Sequence, residues 1–205
     1  MTRTIKLPAP RKDLDFPLMK ALENRRTNRK WGGAPLSVQE LSDLLWAACG
    51  ITREGTKRAK SKRTAPSATN SQAIKVYVAL EKGLYLYDEK NHRLVRILSE
   101  DIRYLIGNQK MMRSAPAGLI FVSDYSKMKT YLAKDENRKW FVSGTETGFI
   151  SQNIYLYCVA AKLSTAIIGF VDRDKLHDAM GLKEHEKVVY TQAVGRSADR
   201  AADDR

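Results

Sequence analysis

The chain of 205 residues is poor in cysteine and histidine, with two of the first and three of the second. Neither cysteine belongs to a Cys-x-x-Cys pair and the histidines are far apart, so the sequence argues against a disulfide framework and against a metal site. We expect Cys49 and Cys158, which fall in apolar helical stretches, to be buried as small hydrophobic side chains. We expect His92, His177 and His185 to lie at the surface.

Long apolar runs are missing too. No stretch approaches the roughly 20 apolar residues that a membrane-spanning helix needs, so we predict no membrane partner. Residues 1–10 are charged and lack the apolar core of a signal peptide, and we expect a cytoplasmic protein. Two nucleotide-binding signatures, Gly-x-Gly-x-x-Gly and Gly-x-x-x-x-Gly-Lys, do not occur, which argues against the folds that carry them.

Acidic residues are few compared with basic ones: the sequence has 23 aspartates and glutamates and 36 lysines and arginines, which gives a formal net charge of +13. Such a surface attracts anions of any kind, whether nucleic acid, an acidic surface or a phosphorylated small molecule. The basic residues are not interleaved with aromatic residues along a recognisable groove, and no helix-turn-helix or single-strand-binding signature is present. We therefore expect a small molecule and no nucleic acid as partner.

Periodicity and turn residues divide the chain into three parts. Residues 1–15 are typical of an extended N-terminal arm, residues 16–196 of a single α+β domain, and residues 197–205 of a polar C-terminal tail. Apolar runs bounded by turn residues predict six strands in the domain. They span 74–80, 84–87, 93–97, 117–122, 164–168 and 188–194. Because the first three are joined by short turns, we expect a central, mostly antiparallel sheet flanked by helices.

Helical signals separate these strands. Five helices are predicted, at 17–24, 37–49, from 99 or 101 to 112, at 142–163, and in a short stretch up to residue 180. Ser37 and Glu40 form a capping box, and Gly50 occupies the position of a left-handed C-terminal residue. Apolar side chains at i, i+3 and i+4 predict one buried face on the first helix, made by Leu18, Ala21 and Leu22.

The helix at 142–163 is apolar nearly all round. A helix of this kind is either central to a large core or covered by a second subunit. Gly144 and Gly148 share one face and would permit the close approach of another backbone. We therefore expect a long central helix in the core of a homodimer.

Two polar stretches are candidate binding elements. Residues 25–29, the arginine segment, read Arg-Arg-Thr-Asn-Arg. They form either a solvated surface run or a phosphate site, because arginine forks match phosphate oxygens and a threonine hydroxyl adds a neutral donor. Residues 66–72, the carboxamide loop, contain Asn70 and Gln72, whose side chains both donate and accept hydrogen bonds. This loop either forms a simple turn or binds the polar edge of a flat heterocycle such as a flavin.

In order and spacing, these pieces resemble the nitroreductase superfamily of FMN-dependent oxidoreductases, from about residue 14 to residue 195. The arginine segment is similar to the family's Arg-Arg-Ser-x-Arg signature, and the carboxamide loop to its Pro-Ser-Ser-x-Asn-x-Gln loop. Residues 148–153 with Leu156 resemble its central helix, and the glycine turn, residues 168–170, resembles its flavin-edge turn. The resemblance implies a nitroreductase-like fold with FMN as cofactor.

The resemblance also implies which residues bind FMN, and it names no catalytic side chain and no metal ligand. The phosphate and ribityl chain would be held by Arg25, Arg26, Thr27 and Arg29, and the phosphate also by Arg196. The ring would be lined by Pro66, Ser67 and Ala68, bonded at its polar edge by Asn70 and Gln72, and faced near N5 by the backbone of Ile168 and Gly169.

The implied activity is ping-pong hydride transfer. NAD(P)H would be the cosubstrate and an electron-poor small molecule, such as a nitroaromatic, quinone or enone, the acceptor, at a site in the homodimer interface. Two alternatives stay open. The first is an FMN-dependent dehydrogenase of the azoline-oxidising type, because the stretches within residues 7–51 and 63–68 look most like the azoline-dehydrogenase branch, although residues 70–73 read as in ordinary nitroreductases. The protein would otherwise be a flavin-binding module without turnover of its own.

Overall fold

A seven-stranded sheet forms the centre of the molecule in the computed structural model, which describes residues 4–32, 34–57, 59–109, 114–129 and 134–198. The strands of the chain are β1 Thr4–Lys6, β2 Ile51–Arg53, β3 Lys62–Arg63, β4 Ile74–Leu80, β5 Gly83–Asp88, β6 Arg93–Leu98, β7 Ala117–Asp124, β8 Leu163–Ile168 and β9 Glu186–Arg196. The order in the sheet is β1-β6-β5-β4-β7-β9-β8, with every neighbouring pair antiparallel. Strands β2 and β3 pair separately.

Four α-helices flank the sheet in the described part of the chain. They are α1 Leu18–Asn24, α2 Val38–Cys49, α3 Glu136–Ala160 and α4 Arg173–Met180. The predicted α+β class with a large antiparallel sheet is confirmed. Among the described helices, none combines the length and the apolar character needed to cross a membrane.

The sheet has a core on each side because the side chains of its strands alternate. On β4, Val76 and Val78 pack with α2 and α3 in one core. Tyr77 and Ala79 point the other way, into the core that contains α4. The period-two pattern of β4 therefore separates two hydrophobic layers, and α3 lies in only one of them.

The start of α2 is as predicted, but its end is not. Ser37 Oγ accepts from Glu40 N at 3.1 Å, and Glu40 Oε2 accepts from Ser37 N at 2.6 Å, which completes the capping box. Gly50, expected to be left-handed, is extended with φ −66° and ψ 161°. A Cβ atom at Gly50 would lie 2.3 Å from Trp46 Cδ1. Glycine stands there because of the close packing of Trp46.

The helix expected up to Met112 is wrong over the described residues 99–109. A single 3-10 turn, Arg103–Leu105, stands there. The carboxylate of Asp101 accepts from both the backbone N and the side chain of Arg103, which is compatible with a helix start. The turn does not continue into a helix, because Gly107 and Asn108, which have low helix propensity, follow it. Residues 110–113 lie outside the described residues.

Helix α3 begins six residues earlier than predicted. Asp135 caps it by accepting from Arg138 N at 2.7 Å, in a charged stretch without apolar periodicity. One side of α3 faces the core, while the apolar side chains of Phe141 and Phe149 are exposed, so the helix is not buried all round within one chain. Helix α1 likewise buries only Ala21. Its predicted buried face is wrong for the single chain, because Leu18 and Leu22 are exposed.

The N-terminal residues from Thr4 onward lie on the domain. Strand β1 pairs with β6 at the sheet edge, and Leu7 is buried. Ser42 Oγ donates to Pro8 O at 2.6 Å, and Arg11 forms an ion pair with Asp43 at 2.8 Å. These contacts continue the sheet and its core into the arm.

Both cysteines are buried, as predicted, and burial raises the pKa of the Cys49 thiol to about 12. The histidine prediction is partly wrong. His185 is exposed, whereas His92 is half-buried between Ser42 Oγ and Tyr87 Oη at 2.7 and 2.9 Å. Its place beside the N-terminal arm was not visible in the sequence.

Candidate functional site

The arginine segment lies against α3 and β8. Asn28 N donates to Thr165 O at 3.0 Å, and Thr27 Oγ1 lies 2.9 Å from the hydroxyl of Tyr155 on α3. That same hydroxyl accepts from Ile167 N at 3.1 Å. Tyr155 therefore joins the segment, the helix and the strand at one point.

The arginines of this segment carry uncompensated charge. Arg25, Arg26 and Arg29 are exposed, and no carboxylate in the described parts of the chain forms an ion pair with them. The Arg25 guanidinium lies over the ring of Tyr155, 5.3 Å from its centroid. Three guanidinium groups without acidic partners form a surface on which an anion is favourable.

Arg196 approaches this segment through its backbone. Gly32 N donates to Arg196 O at 2.8 Å, while the Arg196 side chain reaches Glu40 Oε2 at 2.9 Å. Burial opposes ionisation of Glu40, but the hydrogen bonds from Ser37 and Arg196 leave the pKa of Glu40 below its ordinary value. The Arg196 charge is thus already partnered at the start of α2, in contrast to the three arginines of the segment.

The carboxamide loop has an unusual backbone. Thr69, Asn70 and Gln72 each have φ of 54°, in the left-handed region that non-glycine residues rarely adopt. Each such residue costs on the order of 1 kcal/mol, and conformations of this kind persist where the surroundings hold them. They are concentrated at ligand sites.

The two carboxamides of the loop are bonded to the chain and to each other. Asn70 Nδ2 and Gln72 Nε2 donate to the Ser61 carbonyl at 3.0 and 2.6 Å, and Gln72 Nε2 also donates to Asn70 Oδ1 at 3.1 Å. Ser67 Oγ accepts from Gln72 N at 3.1 Å. These bonds fix the side chains in a defined arrangement and occupy part of their donor capacity.

A buried carboxylate of α3 holds the beginning of the same loop. Glu146, only 3% exposed, accepts from Ala68 N through Oε1 at 2.8 Å. Burial raises the pKa of Glu146, while the hydrogen bond from Ala68 and the charge of Arg63 act in the opposite direction. The contact attaches the loop to the central helix.

The glycine turn follows β8 directly. Ile168 is buried, and Gly169 and Phe170 are exposed. Arg173, at the start of α4, donates through Nη2 to Gly169 O at 3.2 Å and to Val189 O at 3.0 Å. A Cβ atom at residue 169 would lie 3.2 Å from Tyr190 Cε1, so the turn packs closely on β9.

All three elements border α3 or the strand beside it. The arginine segment and the glycine turn meet along β8, where Tyr155 bonds Ile167, next to Ile168. Glu146 is nine positions before Tyr155, which places the carboxamide loop about 13 Å further along the helix. No hydrogen bond joins the loop to the arginine segment in the described residues, so one chain presents two separated halves.

Sequence reasoning missed three residues that hold these elements: Glu146, Tyr155 and Arg173. Only Glu146 left a signal, since a carboxylate four residues before Ile150 lies on the buried face of a helix. Nothing in the sequence distinguishes Tyr155 from the neighbouring tyrosines or Arg173 from the other helix-start residues.

This antiparallel α+β fold, with candidate residues along one central helix, is the architecture of proteins described as nitroreductases. A solved Ralstonia eutropha structure assigned to that class superimposes with a TM-score of 0.86, at 36% identity, over 96% of this chain and 90% of the other. The fold is shared by a Desulfovibrio desulfuricans nitroreductase-class structure in complex with FMN, with a TM-score of 0.63, 18% identity and 90% and 88% coverage.

Sequence comparison agrees. The Nitroreductase family model matches residues 22–196, so the chain belongs to the nitroreductase family. MJ1384 of Methanocaldococcus jannaschii, a protein assigned as a nitroreductase, is 28% identical over 195 residues, covering 90% of this chain and 93% of that protein. The resemblance drawn from the four motifs is thereby confirmed.

Proposed function

We propose that this protein is an FMN-dependent oxidoreductase that uses NAD(P)H to reduce an electron-poor small molecule. The observation that carries the proposal is the arginine segment: three exposed guanidinium groups that have no acidic partner among the described residues, held beside Tyr155 on the central helix. In a member of the nitroreductase family, such a segment suits the phosphate of a flavin mononucleotide.

The phosphate end of FMN fits the residues present. Arg25, Arg26 and Arg29 would neutralise the phosphate, and Thr27 would donate its hydroxyl proton to the phosphate or the ribityl chain. Thr27 is already oriented by the Tyr155 hydroxyl at 2.9 Å. Arg196 would contribute less than the other three, because its side chain is shared with Glu40.

The ring end fits the carboxamide loop and the glycine turn. Pro66, Ser67 and Ala68 would line the ring, and Asn70 and Gln72 would bond its polar edge. The backbone of Ile168 and Gly169 would lie beside N5. When bound, FMN supplies hydride acceptance and donation, which no side chain of the chain offers.

The protein itself would bind and orient the cofactor and substrates and would exclude water from the site. Its net charge of +13 concentrates phosphorylated NAD(P)H at the surface. Phe170, the 76% exposed last residue of the glycine turn, offers an aromatic face to a planar acceptor. Cosubstrate and acceptor would occupy the same place in turn, and nitroaromatics, quinones and enones are the acceptor classes we propose.

A homodimer would bring the two separated halves of the site together. We propose that the carboxamide loop of one protomer and the arginine segment of its partner contribute to one FMN site. The exposed apolar residues of α1 and α3 support this arrangement, since they would be buried by a second copy.

FMN titration of the apoprotein tests the cofactor. We expect a yellow holoprotein, and FMN binding weakened by about a hundredfold or more in the double variant Arg26→Ala/Arg29→Ala, because each of the two lost charge-assisted hydrogen bonds costs about 1.5–3 kcal/mol. Arg53→Ala, which removes an exposed arginine outside the segment, is the matched control and keeps the affinity. Absence of flavin binding to the wild-type protein overturns the proposal.

Turnover is tested separately by adding NADPH or NADH to the holoprotein without oxygen. We expect the visible absorbance of the oxidised flavin to disappear, and to return when a nitroaromatic or quinone is added. A holoprotein that keeps its colour with both nucleotides would be a flavin-binding module instead of an oxidoreductase.

A further inference from the structure

Glu146 is a carboxylate on the core face of the central helix. It lies four residues before Ile150 and eight before Ile154, both buried, and is itself 3% exposed. Placing a carboxylate there is unfavourable unless other groups bond it. Hydrophobic packing therefore does not explain why a carboxylate, Glu146, lies on the same buried face as Ile150 and Ile154.

The hydrogen bond to the carboxamide loop is the direct contact of this carboxylate. Glu146 Oε1 accepts from Ala68 N at 2.8 Å, and no cation forms an ion pair with it in the described ranges. The charge of Arg63 acts to lower the pKa of Glu146, but the Arg63 side chain forms its ion pair with Glu89. A backbone N–H, rather than a salt bridge, is thus the group that Glu146 binds.

The bond falls at the point where the loop backbone becomes strained. Ser67 is extended, Ala68 begins the 3-10 turn Ala68–Asn70, and the two residues that follow have positive φ. A short loop of this kind keeps such a conformation only when its ends are held. A buried carboxylate is a strong acceptor, because charge-assisted hydrogen bonds are about twice as strong as neutral ones.

We propose that Glu146 is a positioning residue that fixes the carboxamide loop on α3 in the shape that binds the flavin ring. The proposal rests on the proposed function for its flavin part. The fixed loop would present Ser67, Ala68 and the two carboxamides without an ordering step during binding, and so would raise affinity through preorganisation.

Three variants distinguish the contribution of the hydrogen bond to Ala68 N from that of the Glu146 charge. Glu146→Leu removes the acceptor and keeps an apolar side chain suited to the core. Glu146→Gln keeps a side-chain oxygen for Ala68 N while removing the charge. Glu136→Gln, at the exposed start of the same helix, is the matched control.

Amide hydrogen exchange of the apoprotein measures the loop directly. We expect the Ala68 amide to exchange about tenfold faster or more in Glu146→Leu, only a few fold faster (about threefold) in Glu146→Gln because a neutral oxygen is a weaker acceptor, and at the wild-type rate in Glu136→Gln. FMN titration should follow the same order, with about tenfold weaker binding for Glu146→Leu and rescue to within about threefold by Glu146→Gln. Thermal unfolding checks that each variant is folded, and Glu146→Ala replaces the leucine variant if that one is not.

The outcomes are distinct. Wild-type protein that binds no FMN overturns the proposed function, and the exchange rates then decide alone whether Glu146 holds the loop. FMN binding that is equally tight in Glu146→Leu overturns the positioning role and leaves the oxidoreductase standing. Loss of affinity in a folded Glu146→Gln variant, equal to that of the leucine variant, also overturns it, because the retained oxygen should suffice.

Discussion

At the scale of single residues, Lys75 connects three strands through two carboxylates. Its Nζ lies 2.8 Å from Asp124 at the end of β7 and 2.6 Å from Glu186 at the start of β9. Burial opposes ionisation of both acids, but the hydrogen bonds from Lys75 leave the pKa of Asp124 and of Glu186 below their ordinary values. The ionised acids therefore stabilise the fold.

This network predicts a pH-dependent stability. Because the folded-state pKa values of the two acids are lowered, their contribution is fully present above about pH 4 and is lost as the pH falls through those values. Lys75→Met should cost on the order of 2 kcal/mol at pH 7, since it leaves two neighbouring carboxylates without their cation. The difference from wild type should shrink towards pH 3.

Urea unfolding of wild type and variant at both pH values measures this prediction. Lys90→Met, which removes an exposed lysine in the turn after β5, is the control and should change stability little at either pH. A Lys75→Met penalty that stays constant between pH 7 and pH 3 contradicts the electrostatic explanation.

Some residues of the candidate site could be predicted from the sequence and others could not. The arginine segment and the carboxamide loop were identifiable because their side chains are adjacent in the chain. The contacts of Glu146 and Tyr155 were not, since their partners Ala68 and Thr27 are 78 and 128 residues away. Contacts over such separations depend on the packing of α3, which local patterns do not specify.

At the scale of elements, the end of α2 depends on one close contact. A Cβ atom on Gly50 would lie 2.3 Å from the Trp46 ring and 2.7 Å from its carbonyl oxygen. The carbonyl is backbone and cannot rotate away. Gly50→Ala should therefore destabilise the protein by about 1–3 kcal/mol, the usual cost of overpacking.

Thermal or urea unfolding checks this expectation. Gly32→Ala is the matched control, since its nearest neighbour to a new Cβ atom is at 3.7 Å, an ordinary contact. A Gly50→Ala variant as stable as Gly32→Ala would show that α2 ends without the contact. Gly50 would then be explained as an ordinary helix-terminating glycine.

Much of the secondary structure follows from local rules, and the exceptions have physical causes. Strands β4 to β9 begin and end within about two residues of the predicted bounds, because apolar alternation and turn residues are local. The helix predicted near residue 101 is reduced to one turn, because Gly107 and Asn108, which have low helix propensity, follow that turn. The buried face predicted for α1 is wrong for a single chain, because Leu18 and Leu22 are exposed in its described part.

At the scale of the whole molecule, uncovered apolar side chains collect on two helices that touch. Leu18 and Met19 on α1 are 63% and 73% exposed, Phe141 on α3 is 74% exposed, and α1 packs against α3. A Cβ atom on Gly144 or Gly148 would meet nothing within 4 Å. A surface of this kind suits a second copy whose backbone approaches α3.

Phe141→Glu should therefore weaken the proposed dimer and release flavin with it. We expect sedimentation equilibrium to show monomers at concentrations where the wild type is dimeric, and those monomers to have lost FMN. Ile97→Glu, an equally drastic change at an exposed position on β6, is the control and should stay dimeric and yellow. Monomers that retain full flavin content contradict a shared site.

The order of the strands in the sheet has a consequence for synthesis on the ribosome. Strands β4, β5 and β6 are consecutive in the chain and adjacent in space, so this meander is complete once residue 98 has emerged. Strand β1 is made first but must wait for β6, the strand it pairs with. The sheet is thus expected to grow outwards from its middle, with the C-terminal β8 and β9 closing the opposite edge last.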